Sequence, residues 1–144
     1  MAFSTPFARG HPTTPLLVVS PIHCPIHEDA PGPSTPDLDA LSTGQLRFRA
    51  GGDPAEVARG KLTLRVVREE LARIVEQRAA EDANLHLLDG LNLYGEADFA
   101  ELPLPDGLHP DAATHRRIAE RFAELAFTAN RPFATQEYLK TELH

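Results

Sequence analysis

The apolar positions of the chain mark out a few segments that can pack and several that cannot. Leu16 to Val19 form a compact run that ends in Ser20 ("LLVVS") and is bounded by Pro15 and Pro21. Continuous apolar character with two valines predicts a short buried strand, in a parallel sheet covered on both faces. From 53 to 82, Val57, Leu64, Val67, Leu71, Ile74 and Val75 recur at spacings that place them on one face of a helix. Asp53 can cap that helix, Pro54 suits its first turn, Glu56 follows three residues after the cap, and Gly60 predicts a kink or a restart. Leu85, Leu87 and Leu88, closed by the Gly90 turn, predict a second strand. A last helix is predicted from Pro110, burying Ile118, Phe122 and Leu125 and turning Arg116, Arg117, Glu120, Arg121 and Glu124 outward.

Between these segments the pattern breaks. "PIHCPIHEDAPGPSTPDLDALSTGQ" contains five of the thirteen prolines, each lacking the N–H that regular structure uses, so it reads as one long irregular loop. Loops of that length inside a compact domain are uncommon and often functional. The stretch from 91 to 107 reads as loop with a short helical turn. The order strand, loop, helix, strand, loop, helix is a β-α-β unit with a trailing helix, which indicates an α/β layer fold. Two strands are few for such a sheet, and the first would present a bare apolar edge.

Composition narrows the classes. The formal charge is -7 and no Lys/Arg block occurs, so neither a nucleic-acid partner nor an anionic membrane surface is indicated. No apolar run approaches the roughly 20 residues of a membrane-spanning helix. The first residues lack the apolar core of a secretory signal, so the chain as given is expected in the cytoplasm. The single cysteine, Cys24, excludes an internal disulfide and a zinc ribbon.

The candidate chemistry lies in "PDGLHPDAATHRRIAERF", where Asp106 stands three residues before His109. A carboxylate that accepts from imidazole Nδ1–H fixes the tautomer and leaves Nε2 free to take a proton. Pro110, at the first helical position, would hold His109 at a helix N-terminus. On spacing alone, a Pro-Asp-Gly turn with His109 as a cap is the simpler account. His23, Cys24 and His27 are chemically able to bind zinc, but Pro21 and Pro25 oppose the helix that would align them, and no metal site is expected. Cys24 as a nucleophile lacks any neighbour that would lower its pKa. Of Ser4, Ser20, Ser34 and Ser42, none lies in a nucleophile elbow or a Gly-Asp-Ser turn.

The block from Asp106 to Phe122 resembles the last motif of the SGNH (GDSL-type) hydrolases, whose Asp-x-x-His-Pro supplies the acid and base of a catalytic triad. "HPTTPLLVVSPIHCP" resembles the fourth strand and following turn of such proteins, and "PGPSTPDL" the excursion after it. "GKLTLRVVREELARIVEQR" and "NLHLLDGLNLYG" resemble the next helix and fifth strand. The resemblance implies a three-layer α/β/α, flavodoxin-like fold, of which this chain holds only the C-terminal β-α-β-α portion. It divides the chain into an irregular segment (1–10), the C-terminal half of the hydrolase domain (11–128) and a tail (129–144). It implies ester hydrolysis through an acyl-enzyme, with a small-molecule ester as substrate, His109 as base, Asp106 as orienting acid and no cofactor. The family's nucleophilic serine and its oxyanion-hole Gly and Asn belong to blocks that this sequence lacks, so Met1 is expected to mark where a longer reading frame was cut. The chain alone is then expected to be inactive. The alternative is a non-catalytic binding module that forms a homodimer through its bare strand edge.

Overall fold

The computed structural model describes residues 10, 11 and 13–134; most of the segment expected at 1–10 and the end of the tail lie outside them. The fold is mixed α/β. Four strands, β1 (Leu16–Val19), β2 (Ser34–Pro36), β3 (Phe48–Ala50) and β4 (Leu85–Leu88), are joined by helices α1 (Leu38–Ser42), α2 (Leu64–Ala79), α3 (Glu96–Glu101) and α4 (Ala112–Phe127). Short 3-10 turns lie at Pro25–His27, Pro54–Arg59 and Gly90–Asn92.

The two predicted strands pair in parallel, with Leu16 opposite Leu85 and Val19 opposite Leu88. The ladder continues past both ends through Leu16 N–H to Asn84 O (2.8 Å) and Ser20 N–H to Leu88 O (3.0 Å). Helix α2 is the crossover between them and packs against β4. The expected cover on both faces is incomplete, because Val19 and Leu87 remain 41% and 37% exposed.

Gly60 does produce a restart. It takes φ +93°, a left-handed conformation that costs glycine little, and closes the 3-10 turn that Asp53 opens by accepting from Ala55 N–H. Thr63 then caps α2, accepting from Val66 N–H at 3.3 Å. Val57 therefore lies outside α2, and Ile74 is 39% exposed rather than buried; Val75 is the buried residue of this helix.

The proline-rich stretch is not one irregular loop. Its middle supplies β2, which pairs antiparallel with β3 just beyond the stretch, Pro36 opposite Phe48 and Ser34 opposite Ala50. Helix α1 forms the tip, capped by Asp37, which accepts from Asp39 and Ala40 N–H. Three-residue strands carry too little alternation to be read from sequence, and Pro36 ends the strand where its missing donor costs nothing.

Buried Cys24, Tyr94 and Leu104 form the core, with Ile22, Ile26, Leu64, Phe99, Leu108 and Ile118 packed around them. The Tyr94 hydroxyl donates to Leu102 O at 2.5 Å, and His23 N–H donates to Tyr94 O at 2.9 Å. Leu104 and Leu108 bracket the Asp106–Gly107 turn, so the core lies directly beneath the candidate site.

Candidate functional site

The site is a tight turn between α3 and α4. Gly107 N–H donates to Leu104 O (3.0 Å), closing the turn, and Gly107 takes φ +83°, which an L side chain adopts only under strain. The Asp106 carboxylate then folds back over the chain that follows it. Its Oδ1 accepts from the backbone N–H of Leu108 (2.9 Å) and of His109 (2.7 Å). Its Oδ2 lies 2.7 Å from His109 Nδ1.

Burial of Asp106 raises its pKa, but the backbone N–H and ring of His109 and the N–H of Leu108 outweigh burial and hold it down at about 2. Asp106 is thus an anion at neutral pH, an obligate acceptor that assigns the proton of neutral His109 to Nδ1. Nε2 is left to accept, and the His109 side chain is 66% exposed, with no partner on Nε2 among the described residues. The turn that explains Asp106-Gly107 by local chemistry and the pairing of acid with base are the same structure.

Pro110 does not occupy the first helical position. Asp111 caps α4, accepting from Thr114 N–H at 2.9 Å, so His109 and Pro110 both precede the helix. Nor do Arg117 and Arg121 face outward. Both reach Asp98 of α3, at 2.9 and 2.6 Å, and Arg117 also meets Glu101 at 2.8 Å. These bonds tie the two helices that flank the turn.

The other candidates scatter. His23 Nδ1 lies 3.4 Å from Glu28, and its ring meets Phe99 edge-on at 5.8 Å. Glu28 also pairs with Arg68, which donates to Pro21 O at 3.3 Å, so the loop after β1 is clamped to α2. Both nitrogens of His27 are taken, by Ala30 O (3.2 Å) and by Ser34 Oγ (2.8 Å). Cys24 is buried with Sγ 3.6 Å from Gly107 O, and burial pushes its thiol pKa up, the opposite of what a nucleophile needs. Among the described residues no three His, Cys, Asp or Glu side chains converge to hold a metal.

Ser20 is 4% exposed, donating to Asp89 Oδ1 and accepting from Gly90 N–H. It locks the ends of β1 and β4, where Gly90 approaches so closely that a Cβ would fall 2.2 Å from Ser20 O. Ser34 serves His27, and Ser42 Oγ donates to Asp39 O at 2.7 Å. No described serine or cysteine bonds His109, and Ser4 lies outside the described residues.

Phe48 was not marked by any sequence pattern. Its N–H donates to Asp106 O at 2.8 Å, and its ring stands edge-on to His109, 5.6 Å between centroids at 80°. Strand β3 therefore lies against the Asp106–His109 turn. No helix among the described residues is long and apolar enough to cross a membrane.

No family model and no curated protein matches the chain. Among solved structures it is similar to a salicylyl-acyltransferase, SsfX3, from a tetracycline biosynthetic pathway, with a TM-score of 0.54 and 24% identity over 81% of this chain. The likeness is one of fold, and this chain spans only 27% of the length of that one.

Proposed function

We propose that Asp106 and His109 are the orienting acid and general base of an acyl-transfer site of the SGNH (GDSL-type) hydrolase kind, in a three-layer, flavodoxin-like α/β/α domain of which this chain is the C-terminal part. One observation carries the reading: an anionic carboxylate 2.7 Å from His109 Nδ1, on an exposed ring whose Nε2 has no partner among the described residues. His27 has both nitrogens occupied, and His23, which also meets a carboxylate through Nδ1, is largely buried; His109 combines the carboxylate with an exposed ring.

The reaction class follows from what such a pair can do. His109 Nε2 removes the proton of a serine hydroxyl as its oxygen attacks an ester carbonyl, while Asp106 stabilises the imidazolium. The same proton passes to the departing alcohol oxygen as the ester C–O bond breaks, leaving an acyl-serine. Water, activated by the same base, releases the acid; an alcohol in its place receives the acyl group. Hydrolysis and acyl transfer thus differ only in the acceptor, and the activity for which the similar structure is named, acyl transfer, belongs to this class. The nucleophile and the oxyanion donors are assigned to polypeptide outside this chain, since every described serine is otherwise engaged or unconnected to His109.

The test uses a fluorophosphonate probe and a p-nitrophenyl ester. The isolated chain should neither label nor turn over the ester. Joined to the polypeptide encoded upstream in frame, it should do both. Labelling at a serine of the isolated chain, or an unlabelled and inactive longer protein, contradicts the proposal.

A second reading, a non-catalytic docking module, draws on the apolar strand β1, which pairs with β4 alone among the described residues. A monodisperse dimer with a cooperative melt, unchanged by His109→Ala and inactive in the longer protein, would favour it.

A further inference from the structure

The proline-rich excursion between β1 and α2 ends its second strand against the acid–base turn, and two contacts converge on one residue there. Phe48 N–H holds the main-chain carbonyl of Asp106 at 2.8 Å, while the Phe48 ring meets the His109 ring edge-on at 5.6 Å. We infer that Phe48 is a positioning residue for His109, and that the β2–β3 hairpin exists to present it; this rests on the reading of His109 as a base.

The argument begins from what His109 lacks. With 66% of its side chain exposed, its ring has two partners among the described residues that could fix it, the Asp106 carboxylate and the Phe48 ring. A single hydrogen bond at Nδ1 leaves the imidazole able to rock about that bond and swing Nε2 away from a nucleophile. An edge-to-face aromatic neighbour blocks that rotation on one side.

The hairpin is itself anchored well enough to serve as a stop. Pro36 lies opposite Phe48, and Asp37 N–H donates to Arg47 O at 2.8 Å, so Phe48 is gripped from β2. At the far end Ser34 is held by His27 Nε2 (2.8 Å), and three residues earlier in that same turn Cys24 Sγ meets Gly107 O at 3.6 Å. The contacts thus close a ring, from the turn through Phe48, the hairpin, Ser34 and His27 and back to the turn at Gly107. Gly107 sits inside it, where a Cβ would lie 3.4 Å from Phe48 O and 3.9 Å from Ile26.

The experiment reads the His109 ring itself, by NMR of the ¹⁵N-labelled chain. In the wild type, nuclear Overhauser contacts should join the Phe48 and His109 rings, and neutral His109 should be chiefly the Nδ1–H tautomer. Phe48→Ala and Phe48→Leu should lower the ratio of Nδ1–H to Nε2–H tautomer by about fivefold, the size expected for one aromatic pair. Phe48→Tyr should restore it. Absence of the wild-type ring contact, or an unchanged ratio in Phe48→Leu with the fold intact, overturns the inference, so neither depends on Phe48→Ala folding. Asp106→Asn separates this from the parent reading. If it leaves the tautomer unchanged, the acid–base pair itself fails; if it inverts the tautomer while Phe48→Leu does not shift it, only the role of Phe48 fails.

Discussion

Asp106 does three things with one carboxylate, and each has a thermodynamic consequence. It closes the turn through two backbone N–H groups, it bonds the His109 ring, and it stays ionised to a pKa of about 2. A carboxylate whose folded pKa lies below its unfolded value of about 3.9 stabilises the fold above pH 4, and that contribution is lost as pH falls towards 2. Asp106→Asn should therefore lower stability by about 1–2 kcal/mol at pH 7, and the difference from wild type should shrink between pH 4 and 2. Urea unfolding at the two pH values checks this; a difference independent of pH would mean that charge plays no part. Asp106 and His109 were legible in the sequence because their pairing is local, three residues across one turn. Phe48 was not, since it reaches the turn from 58 residues earlier in the chain, and nothing in its own neighbourhood announces that contact.

Among the elements, the ones carried by a long hydrophobic period or a compact apolar run were readable, and the ones made by distant pairing were not. Strands β1 and β4 and helices α2 and α4 lie where the pattern put them. The β2–β3 pair was hidden because three-residue strands in a proline-rich stretch show no period. Arg117 and Arg121 sit on the charged face of α4 and so read as solvated, yet Asp98 of α3 gathers both, and its pKa is held down to about 2, chiefly by Arg121. The start of α4 turned on two adjacent signals. Pro110 suits a first turn, but the Asp111 side chain satisfies Thr114 N–H and so becomes the cap, moving the helix two residues on. Asp111→Ala should cost about 1 kcal/mol, measured by thermal or urea unfolding. A stability within error of wild type would show that the cap does not anchor the helix behind His109.

At the scale of the molecule, a two-stranded parallel sheet with Val19 41% exposed is a small unit for an α/β fold. The solved structure to which this chain is similar is longer, and the chain spans 27% of it. Among the described residues β1 pairs on one side only, and an open, uncharged apolar edge is a template for association. Val19→Lys should lower the concentration-dependent mass of the chain in sedimentation; an unchanged mass would place the association elsewhere. The mixed α/β character was legible from the order of elements. The lack of a serine beside His109 was legible too among the described residues, because Ser20, Ser34 and Ser42 stand in the wrong local setting for a nucleophile.

The central claim is that His109 moves the proton in acyl transfer. Its most direct measurement is ester hydrolysis by the chain joined to its upstream-encoded polypeptide, with His109 intact and with His109→Ala. The account predicts turnover that falls by about 10⁴–10⁶-fold in the variant. Turnover that survives His109→Ala would contradict it.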